Sequence, residues 1–257
     1  MPAPLLQGLR VGCVPYLNAL PLRPPSGVPL TLEPPSVLAR LFRSNELDVA
    51  LLPVFEVLQD PCPLLVDGVA IACDGPVFSV ILAYRGALLE LSEVWLDPAS
   101  LSSVHLAKLL FAHFLRLNVE WRTGTPPPDA ARVLIGDPAI LFQMEHSEDW
   151  RIIDLGSAWK AHTQLPFVFA VWAVQPTLAH PDRAGDLVRS WKVSGLERRE
   201  QIVESITDFP TDLVRRYLTE SIRYDLGERE KRAMERYRIG LQRARLSVSG
   251  DSERRFV

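Results

Sequence analysis

The stretch Arg10-Val11-Gly12-Cys13-Val14-Pro15-Tyr16-Leu17-Asn18-Ala19-Leu20-Pro21-Leu22 decides how the rest of the chain is read. Its apolar, β-branched opening, residues 11–14, predicts a short buried strand. Pro15 and Pro21 then set off a turn that carries an aromatic, Tyr16, and a neutral amide, Asn18. In an open α/β sheet, ligands sit at the strand ends where such turns emerge. A Tyr-x-Asn turn also serves a purely structural end, because Asn hydrogen-bonds its own backbone there.

Downstream, residues 30–32 predict a second strand. A helix follows, with Val37, Leu38, Leu41 and Phe42 at helical spacing and Ser36 placed to cap it. Residues 48–53 read as a strand stopped by Pro53. Residues 68–73 and 77–84 read as two more, joined by the turn Asp74-Gly75-Pro76. Strand and helix alternating over short links predict a mostly parallel sheet.

The order repeats after Tyr84. A strand at 93–96 and a polar loop, 97–103, precede a helix with Val104, Ala107, Leu110, Phe111 and Phe114 on its buried side. Strands follow at 119–121 and 132–135. Asp137-Pro138 predicts another helix start, Asp as cap and Pro in the first turn. A strand at 151–154, a short helix at 158–162 and the apolar run 167–174 complete the second unit. Beyond Pro176, segments 181–195, 197–206, 211–220 and 228–245 have helical periodicity, and 246–257 read as a tail without core pattern. The expected fold class is α/β in two lobes. Residues 1–84 and 175–257 form lobe I, with the helical C-terminal part packed on it, and 85–174 form lobe II. Strands 77–84 and 167–174 join the lobes as a hinge, and the cleft between them is a natural ligand site.

A composition of 47% hydrophobic and 23% charged residues over 257 positions is that of a soluble globular chain. A net charge of -3 gives no global pull toward nucleic acid. The basic residues Arg229, Lys231, Arg232, Arg236 and Arg238 are interleaved with Glu228, Glu230 and Glu235, as on a solvated helix face. No run of about 18 uncharged apolar residues predicts a membrane span. Residues 1–8 lack the basic region and apolar core of a secretory signal, which predicts a cytoplasmic protein. Cys13, Cys62 and Cys73 are odd in number, lack metal-ligand spacing and read as buried reduced thiols. There is no Ser-His-Asp order, no zinc spacing and no Gly-rich phosphate loop, and Gly12 has no companion glycines.

Seven segments then stand out in order. They are Val14-Pro15-Tyr16-Leu17-Asn18-Ala19-Leu20-Pro21-Leu22, Glu46-Leu47-Asp48-Val49-Ala50-Leu51-Leu52-Pro53, Phe78-Ser79-Val80, and Leu134-Ile135-Gly136-Asp137-Pro138-Ala139. Further on come Asp154-Leu155-Gly156 with Trp159, Leu165-Pro166-Phe167-Val168-Phe169-Ala170-Val171-Trp172, and Ile222-Arg223-Tyr224-Asp225-Leu226-Gly227. In this combination the chain resembles the MqnA family, the chorismate dehydratases of the futalosine route to menaquinone, built on a type II periplasmic-binding-protein-like fold. The resemblance implies a cytoplasmic lyase that removes water from chorismate and leaves 3-[(1-carboxyvinyl)oxy]benzoate. Aromatisation drives that reaction, so no cofactor and no metal are expected. The implied partner is a small dicarboxylate, with no nucleic acid and no membrane; a homodimer is left open. The related 1,4-dihydroxy-6-naphthoate synthase shares the fold, and a non-catalytic anion-binding protein is the reading from another class; a chorismate assay separates them. In one departure, Gln164 stands where the family carries Gly, and its bulk bears on the local turn and on the cleft wall.

A dicarboxylate needs donors, and Arg and Lys occur only at the edges of these segments. Helix starts offer N–H groups and a dipole instead. Ser36 and the pair Ser102 and Ser103 stand at two predicted helix starts, one per lobe, where a serine also simply caps its helix. Asn18 does not titrate and can hold a carboxylate or the departing hydroxyl. The proton can pass to a substrate carboxylate, to Asp137 or to water; Asp137 serves equally as a cap. Asn18 and Asp137 are the candidate catalytic residues. His162 is a candidate acid or a surface histidine. Tyr16, Ser79, Thr163 and Phe167 complete the candidate substrate contacts. The structural alternatives are a buried hydroxyl for Ser79, a helix end for Thr163 and core filling for Phe167 and Trp159.

Overall fold

The structure is a computed structural model that describes residues 8–60, 62–146, 148–246 and 254–257. In the first part, β1 (Val11–Cys13) runs into a 3-10 turn, Leu17–Leu22, followed by β2 (Leu30–Leu32), α1 (Pro35–Arg43), β3 (Val49–Pro53), α2 (Val54–Gln59) and β4 (Leu64–Cys73). The second part holds β5 (Val80–Tyr84), β6 (Glu93–Trp95), α3 (Ser102–Leu110), β7 (Glu120–Arg122), β8 (Arg132–Ile135), α4 (Gly136–His146), β9 (Arg151–Asp154) and α5 (Leu155–Thr163). Then come β10 (Phe167–Val174), α6 (Pro181–Glu197), α7 (Arg199–Ser205), α8 (Thr211–Arg216), a wider π turn Tyr217–Ser221, α9 (Glu228–Arg243) and β11 (Arg255–Phe256).

The strands form two sheets, ordered β11-β4-β10-β3-β1-β2 and β7-β6-β8-β5-β9. β3 and β5 are buried along their whole length, because helices cover both faces. Fully burying a side chain such as Leu51 or Leu82 contributes about 2 kcal/mol. Each sheet is mixed rather than mostly parallel. β1 pairs parallel with β2 and β3, but β10 runs antiparallel between β3 and β4, and β5 antiparallel between β8 and β9. Both reversed strands enter their sheet by a short loop from the other lobe, with no helical crossover to turn them parallel.

The chain therefore passes from the first sheet to the second through residues 74–79 and returns through 164–166. β5 is bonded on both edges within the second sheet and β10 within the first, so neither strand spans the lobes as the expected boundaries at 84 and 174 require.

The C-terminal helices do more than cover the first lobe. α6 packs on the 3-10 turn so closely that a Cβ on Gly195 would stand 1.8 Å from the Pro21 carbonyl oxygen. α9 bridges both lobes: Tyr237 Oη donates to the Ser102 carbonyl at 2.9 Å, and Gly240 lies against Leu109 of α3. Of the expected tail, 247–253 lies outside the described residues, as do 1–7 at the other end. Arg255 and Phe256 pair parallel with Leu64 and Leu65 of β4, so the end of the expected tail joins the first sheet. Cys13 and Cys73 are buried, but Cys62 is exposed, a correction to the expectation of three buried thiols. Among the described residues no helix is long and apolar enough to cross a membrane.

Candidate functional site

A cavity lies between the two sheets, about 540 Å³ of atom-free space including the open solvent at its mouth. Tyr16 and Asn18 reach it from the turn after β1, and Leu51, Pro53, Phe169 and Ala170 from β3 and β10. The other lobe contributes Ser79 just before β5, Ser100 to Ser103 at the start of α3, and Ile135 with Gly136 where β8 meets α4. Apolar walls with a few convergent polar groups are the usual build of a small-molecule site. None of the lining residues is Asp, Glu, His, Lys or Arg.

The walls are held by bonds that cross the cleft. Leu17 N–H, the first of the 3-10 turn, donates to the Asp137 carboxylate at 3.0 and 3.3 Å. Ser36 N–H donates to the Ala99 carbonyl at 3.3 Å. Ser102 Oγ accepts Phe55 N–H at 3.2 Å and donates to the Phe169 carbonyl at 2.9 Å. Phe55 stacks on His105 with ring centroids 3.5 Å apart. The Tyr16 ring lies against Gly136, where a Cβ would come within 2.8 Å of two ring carbons; Gly136 also has a φ of +62°. Burial, with the charges of Asp97 and Asp137, pushes the Tyr16 phenol up to about 12, so it stays neutral.

The crossing loop is fixed just as firmly. Asp154 caps α5 through Ser157 N–H at 2.8 Å and also accepts Val77 N–H at 2.9 Å and Phe78 N–H at 2.7 Å. Gln143 Nε2 donates to the Phe78 carbonyl at 2.5 Å. These bonds hold Phe78 at a φ of +66°, a left-handed conformation that a bulky residue adopts only when its surroundings enforce it. The loop thereby presents Ser79 to the cavity.

Of the residues expected at the site, Tyr16, Asn18, Ser79, Ser102 and Ser103 line the cavity. Ser36 does not. Its helix starts at Pro35 with Pro34 in the cap position, so the Ser36 side chain caps nothing. Asp137 lies within the first turn of α4, off the cavity wall, and its carboxylate serves the other lobe's turn instead of its own helix. Burial pushes it above its ordinary value, against the pull of Leu17 N–H and Arg23. Thr163 sits at the end of α5, donating to the Trp159 carbonyl at 2.8 Å and accepting Leu165 N–H at 3.2 Å. Phe167 is 1% exposed and packs among Trp159, Phe169 and Tyr237, so it fills core. His162 is exposed and stacks on Phe114, off the cavity wall.

Sequence reasoning missed Gly136, whose signal was its place directly before Asp137-Pro138. It also missed Tyr217, whose Oη donates to Ser79 Oγ at 2.7 Å across 138 residues, for which no local signal exists. Gln164 ends α5 at a φ of +59°, the left-handed position that a helix end commonly gives to Gly, and does not line the cavity. Among the described residues no cluster of His, Cys, Asp and Glu has the makings of a metal site.

Residues 9–242 match the sequence profile of the menaquinone biosynthesis family. Over 191 residues, 66% of this chain and 70% of the relative, the sequence is 33% identical to a chorismate dehydratase of Thermus thermophilus. The fold is similar to that of the protein AF1704 from Archaeoglobus fulgidus, with a TM-score of 0.74, 14% identity and coverage of 93% of this chain and 98% of that one. It is also similar to the periplasmic aliphatic sulphonate binding protein SsuA of Escherichia coli, with a TM-score of 0.60, 14% identity and coverage of 93% and 92%. With the family profile matched over residues 9–242, the chain belongs to the menaquinone biosynthesis family, on a periplasmic-binding-protein-like fold whose two lobes enclose the cavity.

Proposed function

We propose that the protein is a chorismate dehydratase, a carbon–oxygen lyase that converts chorismate to 3-[(1-carboxyvinyl)oxy]benzoate and water. The observation that carries this reading is a family match running through the cavity segments, joined to a cavity without an ionisable side chain beyond Tyr16. The reaction removes the ring C3 hydrogen as a proton. The electron pair left behind closes the aromatic ring as the C4 hydroxyl leaves, and hydroxyl and proton depart as water. Gain of aromaticity supplies the driving force, so the protein's tasks are positioning and electrostatics.

The first turn of α3 opens on the cavity at Ser102 and Ser103, and it carries no side-chain cap. Its free N–H groups and the helix dipole suit a carboxylate. Ser103, Ser79 and the Asn18 amide add neutral donors for the second carboxylate or the departing hydroxyl. Because no lining residue can act as a carboxylate or imidazole base, the C3 proton passes to a substrate carboxylate or to water. Asp137 works one step back, holding the turn that carries Asn18. The reading places the enzyme in the cytoplasm, with its lobes opening and closing about residues 74–79 and 164–166.

The deciding experiment is incubation of purified protein with chorismate alone. Formation of the enolpyruvyl-oxybenzoate at a rate proportional to protein is expected. Unchanged chorismate, or a product that needs added metal or nicotinamide, overturns the assignment.

A further inference from the structure

The C-terminal helical part touches the cavity machinery at one polar point. α8 runs on into the wider turn Tyr217–Ser221, a form that recurs at functional sites. Tyr217 is 2% exposed, and its Oη donates to Ser79 Oγ at 2.7 Å. The Asn18 side chain lies close to the same phenol, and its Oδ1 is buried without a partner among the described residues. Burial raises the phenol well above its ordinary value, so it remains a donor at every working pH.

A serine hydroxyl has one proton to give. With its oxygen accepting from Tyr217, Ser79 keeps that proton for another acceptor, and the described residues supply none. Its freedom is otherwise spent. Ser79 is 0% exposed, its carbonyl accepts Gly136 N–H at 2.8 Å, and the two residues before it are pinned to Asp154. The remaining direction for the Ser79 O–H is the cavity that it lines.

We propose that Tyr217 is a positioning residue for the dehydration: it fixes the Ser79 hydroxyl so that its proton points at a substrate oxygen. The C-terminal helices are thereby part of the site although they contribute no cavity wall. This rests on the chorismate reading for its substrate, but not for its geometry.

The test is a double-mutant cycle of Tyr217→Phe and Ser79→Ala, with rates given per folded molecule and the folded fraction measured by thermal unfolding. Tyr217→Phe keeps the ring and removes only the donor. Expected are a fall in kcat on the order of tenfold, a KM within about threefold of the parent, and no further loss when Tyr217→Phe is added to Ser79→Ala. An unchanged kcat per folded molecule, or losses that multiply in the double variant, overturns the proposal. If the parent does not turn over chorismate, the substrate reading fails and the same cycle is read on binding of 3-(carboxymethoxy)benzoate by calorimetry. Loss of affinity in Tyr217→Phe that vanishes in the Ser79→Ala background then upholds the positioning role, and equal affinities overturn it.

Discussion

The Asp137 carboxylate of the second lobe accepts the Leu17 backbone N–H of the first, at 3.0 Å through Oδ1 and 3.3 Å through Oδ2. Leu17 opens the turn on which Asn18 sits, so a bond 120 residues long in sequence sets the position of the amide in the cavity. Asp137→Ala removes the acceptor of Leu17 N–H and is expected to cost about 1 kcal/mol of stability and to raise the KM for chorismate. Asp137→Asn keeps one acceptor oxygen and should stay within about threefold of the parent in kcat/KM. Thermal unfolding and steady-state kinetics on both variants check this; equal damage from Asn and Ala would show that the charge, not the hydrogen bond to Leu17, matters.

Asn18→Asp places a carboxylate on a cavity wall that holds no cation. Beside a dicarboxylate, like charges at low effective dielectric cost several kcal/mol, and each ~1.4 kcal/mol is tenfold in rate or affinity. The variant is expected to melt within a few degrees of the parent and to lose at least about a hundredfold in kcat/KM. Near-parental kinetics would remove Asn18 from the site.

Gly136→Ala tests the contact between the lobes at Tyr16. The added Cβ would meet the ring at 2.8 Å and would have to adopt a φ of +62°. A loss of about 1–2 kcal/mol is expected from the backbone, with a further loss of activity as the ring moves. A crystal structure showing Tyr16 unmoved would contradict the second half.

Gln164→Gly relieves the same kind of strain at a residue that does not line the cavity. The residue ends α5 at a φ of +59°, and among the described residues its side chain bonds only the carbonyl of exposed Ala161, at 3.2 Å. The change is expected to stabilise by up to about 1 kcal/mol and to leave kcat/KM as it was. A lower melting temperature, or a changed substrate preference, would refute it.

Asp97, Asp137 and Asp154 are all pushed above their ordinary value of 3.8, each chiefly by burial. A carboxyl raised in the folded state supports folding below its unfolded value, and that support is lost as pH rises through the folded value. Asp97 offers the cleanest check, because Asn retains the Oδ1 that accepts Ala99 N–H at 2.8 Å. Asp97→Asn should gain stability over the parent as pH goes from about 4 to neutrality. Urea unfolding at both ends of that window measures it; a difference that is the same at both would sink the argument.

The proposed opening of the lobes would break the cross-lobe bonds of Leu17, Ser36 and Phe55 together. Small-angle scattering should therefore show a smaller radius of gyration with the reaction product at saturation than without it. An identical profile in both states would speak against opening about residues 74–79 and 164–166.

The sequence by itself determined the local elements. The strand at 11–14, the proline-bounded turn with Tyr16 and Asn18, the run 167–174 and the C-terminal helices all follow from periodicity and from Pro and Gly punctuation. Such signals act within about ten residues and survive any tertiary arrangement. The ordered segments also sufficed for the family. Tertiary structure alone decided which sheet received β5 and β10, because both apolar runs satisfy either sheet until their edge partners are known. It alone moved Ser36, Thr163 and Phe167 off the cavity, since a hydroxyl at a helix start or end and a ring in an apolar run look the same in sequence wherever they face. It alone joined Leu17 to Asp137 and Ser79 to Tyr217, pairs 120 and 138 residues apart. A hydrogen bond reaches only about 3 Å, so its partners are set by how the chain folds back and not by the residues that flank it.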